Sequence, residues 1–155
     1  MSDLTAAHFH NEIAARKWYN AVGVDAEWLT RPDGKSNRGD FLINEKFHDI
    51  KTSSFWEALF IIDSQWQRHL LTGITCDYYV GVNGKYDGIV AYIRGYFTAD
   101  QISAANVYRK GTEIKIGDRK ITLDSDYRII KYLPDQNYQA YRELVGATYP
   151  LPPVE

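Results

Sequence analysis

Asp40, Asp49 and Lys51 are the residues of this 155-residue chain whose types and spacing most directly imply chemistry. They fall in two strand-like segments, residues 40–44 and 47–52, separated by Glu45-Lys46. That gap is short enough for a hairpin, although Glu-Lys is not a favoured pair for the tight primed turns. If the turn is Glu45-Lys46, Leu42 faces Asp49 and Asp40 faces Lys51. If it is Asn44-Glu45, Asp40 faces Asp49. Side chains alternate across a strand, so either turn puts Asp40, Asp49 and Lys51 on one face of the hairpin. A turn of odd length would divide them. The other face receives Phe41, Ile43 and Ile50, an apolar set whose burial would fix the register.

Two adjacent carboxylates repel and raise each other's proton affinity unless a cation lies between them. Mg²⁺ suits such a place, because it takes one or two carboxylates and keeps waters or phosphate oxygens as its other ligands. The ion would polarise a phosphoryl oxygen and activate a water. A neighbouring lysine would orient that water or offset charge developing on the phosphate. These residues therefore predict a metal-dependent phosphodiesterase site. The carboxylate-x-lysine tripeptide does not carry that expectation alone, since Glu113-Ile-Lys115 and Asp118-Arg-Lys120 repeat it. The competing explanation is a solvated ion-pair face. Only Asp49-Ile-Lys51 has a carboxylate leading the paired strand, a glutamate on an upstream helix and a helix following.

The elements that would position these groups are readable by periodicity. Residues 4–22 have Phe9, Ile13, Ala14, Trp18 and Val22 at helical spacing and stop at Gly23. Glu12 and Arg16 stand four apart on that helix, close enough to pair. Residues 24–29 suit a short strand, and 30–39 read as a loop carrying Arg31, Lys35 and Arg38. Residues 54–72 place Phe55, Leu59, Ile62, Trp66 and Leu70 on one helical face. Strands are expected at 77–83 and 88–94, a short helix at 99–106, weaker strands at 112–116 and 119–123, and an extended run at 127–132. A last helix would start at Pro134 and end near Val145, before an extended tail at 150–155. The fold class is α/β (α+β): a mixed sheet with helices against it, in a single domain over 1–155.

The set of Glu12 on a first helix, Gly39-Asp40 opening one strand and Asp49-Ile50-Lys51 in the next resembles the PD-(D/E)XK nuclease superfamily. The resemblance covers about residues 5–82 and leaves the strands and helix of 83–149 unexplained. It implies a restriction-endonuclease-like mixed central sheet flanked by helices, with hydrolysis of DNA phosphodiesters using Mg²⁺ or Mn²⁺. On that resemblance Asp40, Asp49 and the Ile50 carbonyl are metal ligands, Lys51 serves the attacking water, and Glu12 is the accessory acid. Gly39 departs from the pattern by standing where the motif has proline. Gln65-Trp-Gln-Arg-His69 resembles the Gln-x-x-x-Tyr element of the exonuclease-like branch, with Gln67 as the competing glutamine. The later half has the look of small phage endonucleases of that superfamily.

DNA would be positioned by Arg31, Lys35, Arg38, Gln65 and Arg68 through its phosphates. Trp56 and Trp66 read as core residues rather than base-stacking platforms, and His8 and His10 as helix surface. The net charge of −2 argues against a tight non-specific DNA binder, which is usually basic. The lone Cys76 excludes an internal disulfide and Cys-x-x-Cys zinc sites, and reads as a small buried residue beside a strand. No secretory leader or membrane-length apolar run stands out, so a cytoplasmic location and no membrane partner are expected. A homodimer is a further expectation for an enzyme that cuts two strands. The alternatives to a nuclease are a catalytically silent nucleic-acid-binding or assembly module of the same fold, and an unrelated α+β interaction protein.

Overall fold

The computed structural model describes residues 3–29, 39–52, 57–84, 91–133 and 137–149. In chain order the elements are α1 (Asp3–Ala21), β1 (Glu27–Trp28), β2 (Phe41–Ile43), β3 (Lys46–Thr52), β4 (Ala58–Ile62) and α2 (Asp63–Thr72), then β5 (Tyr78–Gly84), β6 (Ala91–Phe97), α3 (Ala99–Ser103) and β7 (Val107–Tyr108). They end with β8 (Glu113–Ile116), β9 (Arg119–Thr122), β10 (Tyr127–Lys131) and α4 (Tyr138–Val145). The central sheet has the order β1-β2-β3-β5-β6. Its neighbours are antiparallel except β3 and β5, which are parallel. A parallel pair cannot be joined by a hairpin, and the crossover between β3 and β5 contains β4 and α2. A three-stranded sheet, β4-β10-β7, and the β8–β9 hairpin complete the strands among the described residues. The fold is thus a mixed α+β arrangement with a central sheet flanked by helices.

Alternation along the strands divides the interior into two cores. Phe41, Ile43, Val80, Val82 and Ile93 pack on one side with α1 and with Tyr141 and Val145 of α4. Ala14 and Ala15 are fully buried, and their small side chains let α1 lie close to the sheet. His48 is buried on the same side, with its Nδ1 2.8 Å from the Tyr141 hydroxyl. That hydroxyl is 2.6 Å from the Tyr19 hydroxyl, so one polar chain joins β3, α4 and α1. Burial pushes His48 down to about 4, which keeps the imidazole neutral near neutral pH. On the other side of the sheet Tyr79 and Phe97 meet Leu59 and Ile61 of β4, Trp66 of α2 and Ile102 of α3. Cys76 belongs to this second core and is a free buried thiol, as its sequence setting implies.

Arg128 fastens the second layer. Its Nε donates to Asp63 Oδ1 at 2.8 Å, and its Nη1 donates to the carbonyl of Ser103 at 2.9 Å and to those of Ile102 and Ala105 at longer range. One buried guanidinium therefore ties the start of α2 to the end of α3. A cation is favourable there, because terminal helix carbonyls lack partners within the helix.

One sequence expectation needs correction, and one open alternative is decided. Residues 54–72 do not form one helix: 58–62 are strand β4, and the helix begins at Asp63. The apolar spacing of Leu59, Ile62, Trp66 and Leu70 fits a helix, but antiparallel pairing with β10 across more than sixty residues wins at the front end. Phe55 and Trp56 lie outside the described residues. Trp66 is buried and donates to Ser103 Oγ at 3.1 Å, whereas Leu70 is exposed. The hairpin turn is Asn44-Glu45 rather than Glu45-Lys46, with Ile43 opposite Lys46. Both turn residues have positive φ, +50° and +65°. Asn tolerates that region, but Glu does not favour it.

Replacing Glu45 with glycine is therefore expected to stabilise the fold by about 1 kcal/mol. Urea unfolding at neutral pH checks this, and an unchanged or lower midpoint would contradict the strained turn.

Candidate functional site

Register in the hairpin is Phe41 opposite His48, Leu42 opposite Phe47 and Ile43 opposite Lys46. This two-residue turn is the second of the two the sequence allowed, and Asp40 lies just beyond the last paired residue, close enough to Asp49 to interact with it. The Asp40 backbone is held from both sides. The Asp40 N–H donates to the His48 carbonyl at 2.9 Å, and the Leu29 N–H donates to the Asp40 carbonyl at 2.8 Å. Gly39 precedes it at φ +70°, and an added Cβ would approach the His48 carbonyl oxygen to 3.1 Å. Proline locks φ near −65°, so this backbone excludes the proline of the motif that the segment resembles.

The side chains then meet as the alternation requires. Asp40 Oδ2 accepts the Ile50 N–H at 2.7 Å. Lys51 Nζ is 3.0 Å from Asp49 Oδ2 in an ion pair. That carboxylate oxygen is buried and has no hydrogen-bond partner among the described residues, so the nearby ammonium is what offsets its charge. Glu12 reaches the group from α1, and its Oε1 accepts the Trp28 indole N–H at 3.1 Å. The Arg16 guanidinium lies 5.1 Å from the centroid of the Trp28 ring, so Trp28 meets both members of the α1 pair.

Electrostatics in this cluster oppose each other. Burial, then Asp49, then Glu12 push the Asp40 carboxyl well above its ordinary 3.8, while the Ile50 N–H and Lys51 pull it down. Asp49 above all holds Lys51 in its charged form, against the desolvation that would lower it. His69 of α2 is half-buried, and its affinity for a proton is reduced by burial and then by Lys51, with Asp49 opposing and Arg68 adding to the reduction. His69 is thus the residue of α2 that senses Lys51 and Asp49. Gln65, Gln67 and Arg68 are exposed. The glutamine spacing drew attention to Gln65, which lies one turn before His69 on the same helix. Arg31, Lys35 and Arg38 lie outside the described residues. The rival tripeptides fall in the β8–β9 hairpin, where Lys120 and Glu113 form an exposed 3.9 Å pair.

The sequence reading joined Asp40, Asp49 and Lys51 correctly but assigned them the wrong chemistry. Among the described residues, no group of three or more His, Cys, Asp or Glu side chains is arranged to hold a metal ion. The expectations of a Mg²⁺ or Mn²⁺ cofactor, of Asp40, Asp49 and Ile50 as its ligands, and of a metal-dependent nuclease are therefore corrected. The physical reason is visible in the partners. One oxygen of Asp40 is taken by a backbone N–H, one of Glu12 by an indole, and Asp49 by an ammonium.

Compared with family models, with curated proteins and with solved structures, the chain has no match. Among the described residues, no helix is long and apolar enough to cross a membrane.

Two outcomes test this balance. Folding raises the proton affinity of Asp40, so between pH 3.8 and its folded value the native chain holds a proton that the unfolded chain lacks. Its contribution to stability is present below 3.8 and is lost as pH rises through that window. Asp40→Asn, whose carbonyl still accepts the Ile50 N–H, is expected to be more stable than the parent at pH 7.5, with the advantage shrinking towards pH 4. Chemical denaturation across that range reads it, and a pH-independent difference would refute the assignment. Lys51→Met is expected to lose about 2 kcal/mol by leaving Asp49 uncompensated. Asp49→Asn in that background should restore most of the loss, which a double-mutant cycle measures.

Proposed function

We propose that this chain is a catalytically silent DNA-binding module built on a restriction-endonuclease-like fold. The observation that carries the reading is that Asp49 and Lys51 neutralise each other at 3.0 Å while Asp40 and Glu12 accept hydrogen bonds from Ile50 and Trp28. A cluster whose charges are offset in this way serves as a structural support beneath a binding face. Within the order α1, β1, β2, β3, β4, α2, β5, the parallel pairing of β3 with β5 across the crossover supports the finer fold assignment.

Support for a nucleic-acid partner comes from the exposed edge of α2. Arg68 is solvent-facing on α2, one turn or less from His69 and within electrostatic reach of it. Arg31, Lys35 and Arg38 precede Asp40 in sequence and lie outside the described residues. Such groups grip phosphates without reading sequence. With a total charge of −2, the binding would be weak and would fall steeply with salt.

The test is fluorescence anisotropy with labelled duplex and single-stranded DNA at 50 and 200 mM salt, run beside cleavage assays in Mg²⁺ and Mn²⁺. The expected result is salt-sensitive binding, weakened roughly tenfold (about 1.4 kcal/mol) by Arg68→Glu, with no cleavage. Absence of DNA binding would reject the partner. Cleavage abolished by Asp49→Ala would reject the silent site.

A further inference from the structure

A second collection of charges lies apart from the Asp40 cluster. A cavity of about 380 Å³ opens where β6, the end of β10, the start of β4 and the β8–β9 hairpin converge. Arg94 enters it from β6, Lys115 from β8 and Lys131 from β10, and Glu57 bounds it ahead of β4. Three cations thus face one space with a single carboxylate, in a chain whose total charge is −2. Lys115 and Lys131 are exposed and have no ion-pair partner among the described residues. We propose that this cavity binds a compact phosphate-bearing anion.

The construction of the cavity supports that class of ligand. The Tyr132 N–H donates to the Glu57 carbonyl at 3.1 Å, which joins the end of β10 to the start of β4. Arg94 is half-buried over the Tyr132 ring, 5.5 Å from its centroid, and Tyr132 in turn stacks on Phe97 at 5.4 Å. The guanidinium is therefore held by packing, and a fixed guanidinium fork matches two oxygens of one phosphate. The two lysines are flexible point charges at the rim. Because the Tyr132 ring is already covered by Arg94 and stacked on Phe97, the lining offers charge rather than a stacking surface for a base.

Gly117 closes the hairpin end of the cavity. Its φ is +61°, and a Cβ there would lie 3.1 Å from Glu57 Oε1. The hairpin thus approaches Glu57 closely at its turn. Burial lowers the proton affinity of Arg94, and Tyr132 and then Glu57 oppose that, so Glu57 helps keep the guanidinium charged. It also repels an incoming anion, so its neutral counterpart should bind more tightly. The volume falls in the range of small-ligand sites, about 300–1,000 Å³. It admits a phosphate group with a small substituent, supplied either by a free phosphorylated metabolite or by the terminal phosphate of an oligonucleotide.

Isothermal titration of the full chain with pyrophosphate in low salt tests the site. The expected result is sub-millimolar affinity, weakened at least tenfold in Lys115→Gln/Lys131→Gln and tightened severalfold in Glu57→Gln, with folding confirmed by circular dichroism. These are exposed positions, so loss of fold is not anticipated to confuse the result. Competition by a 5′-phosphorylated oligonucleotide, but not by its unphosphorylated form, would support the polymer end as the source. Lack of competition would support a free small anion. Absence of pyrophosphate binding to the parent chain, or equal affinity in the double-lysine variant, would overturn the proposal. Arg68→Glu is expected to leave pyrophosphate affinity unchanged. A loss there equal to that of the lysine variant would place the anion on the α2 edge and likewise overturn it. Failure of DNA binding alone leaves this site standing, since the readouts use separate residues.

Discussion

The two-residue turn at Asn44-Glu45 constrains everything else around the cluster. Because it is two residues long, side chains of β2 and β3 stay in phase across the hairpin. Phe41, Ile43 and His48 go to the α1/α4 core, Asp49 and Lys51 alternate to the other face, and Asp40 lies within reach of both Asp49 and Glu12 of α1. A shift of one residue would bury the charges among aromatic rings and expose the apolar set. The turn holds this register although Glu45 occupies a left-handed conformation that it does not favour. Burial of two fully enclosed side chains, Phe41 and Ile43, outweighs that local cost.

Once register is fixed, the charged side must be reconciled with burial. Three acidic groups and one amine meet where water is scarce, and unpaired charge there is expensive. The protein resolves the problem with partners of its own: a backbone N–H, an indole N–H and an ammonium. The same residue types arranged around free carboxylate oxygens would make a cation site. What separates the two outcomes is which oxygen already has a donor, a difference of a few tenths of a nanometre that leaves no trace in residue spacing.

The back of the sheet and the second layer keep this arrangement in place. The Tyr19–Tyr141–His48 chain pins α1 and α4 to β3, directly behind the residues that carry the charges. Arg128 joins the start of α2 to α3 and to the second sheet, and so holds α2, with His69 in its last turn, beside Lys51. Tyr132 extends from β10 over Gly81, the strand partner of Lys51, where any Cβ would collide with its hydroxyl. The Asp40 cluster and the basic cavity therefore adjoin through Gly81 of β5, each using its own strands and side chains.

Local patterns in the sequence determined a good part of this. Helical spacing marked α1 through Ala14, Trp18 and Val22, strand alternation placed Asp40, Asp49 and Lys51 together, and Gly117-Asp118 marked the β8–β9 turn. Such signals come from residues a few positions apart, which is the range over which backbone periodicity acts. Sequence alone did not decide the nature of 58–62, because a run of large apolar residues suits either period and only pairing with β10 selects strand. Nor did it reveal the basic cavity, whose Glu57, Arg94, Lys115 and Lys131 come from four separate segments. Above all, it could not tell a metal site from an internally matched ion cluster. That choice rests on where the Ile50 and Trp28 N–H groups and the Lys51 ammonium point, and only tertiary packing sets those directions.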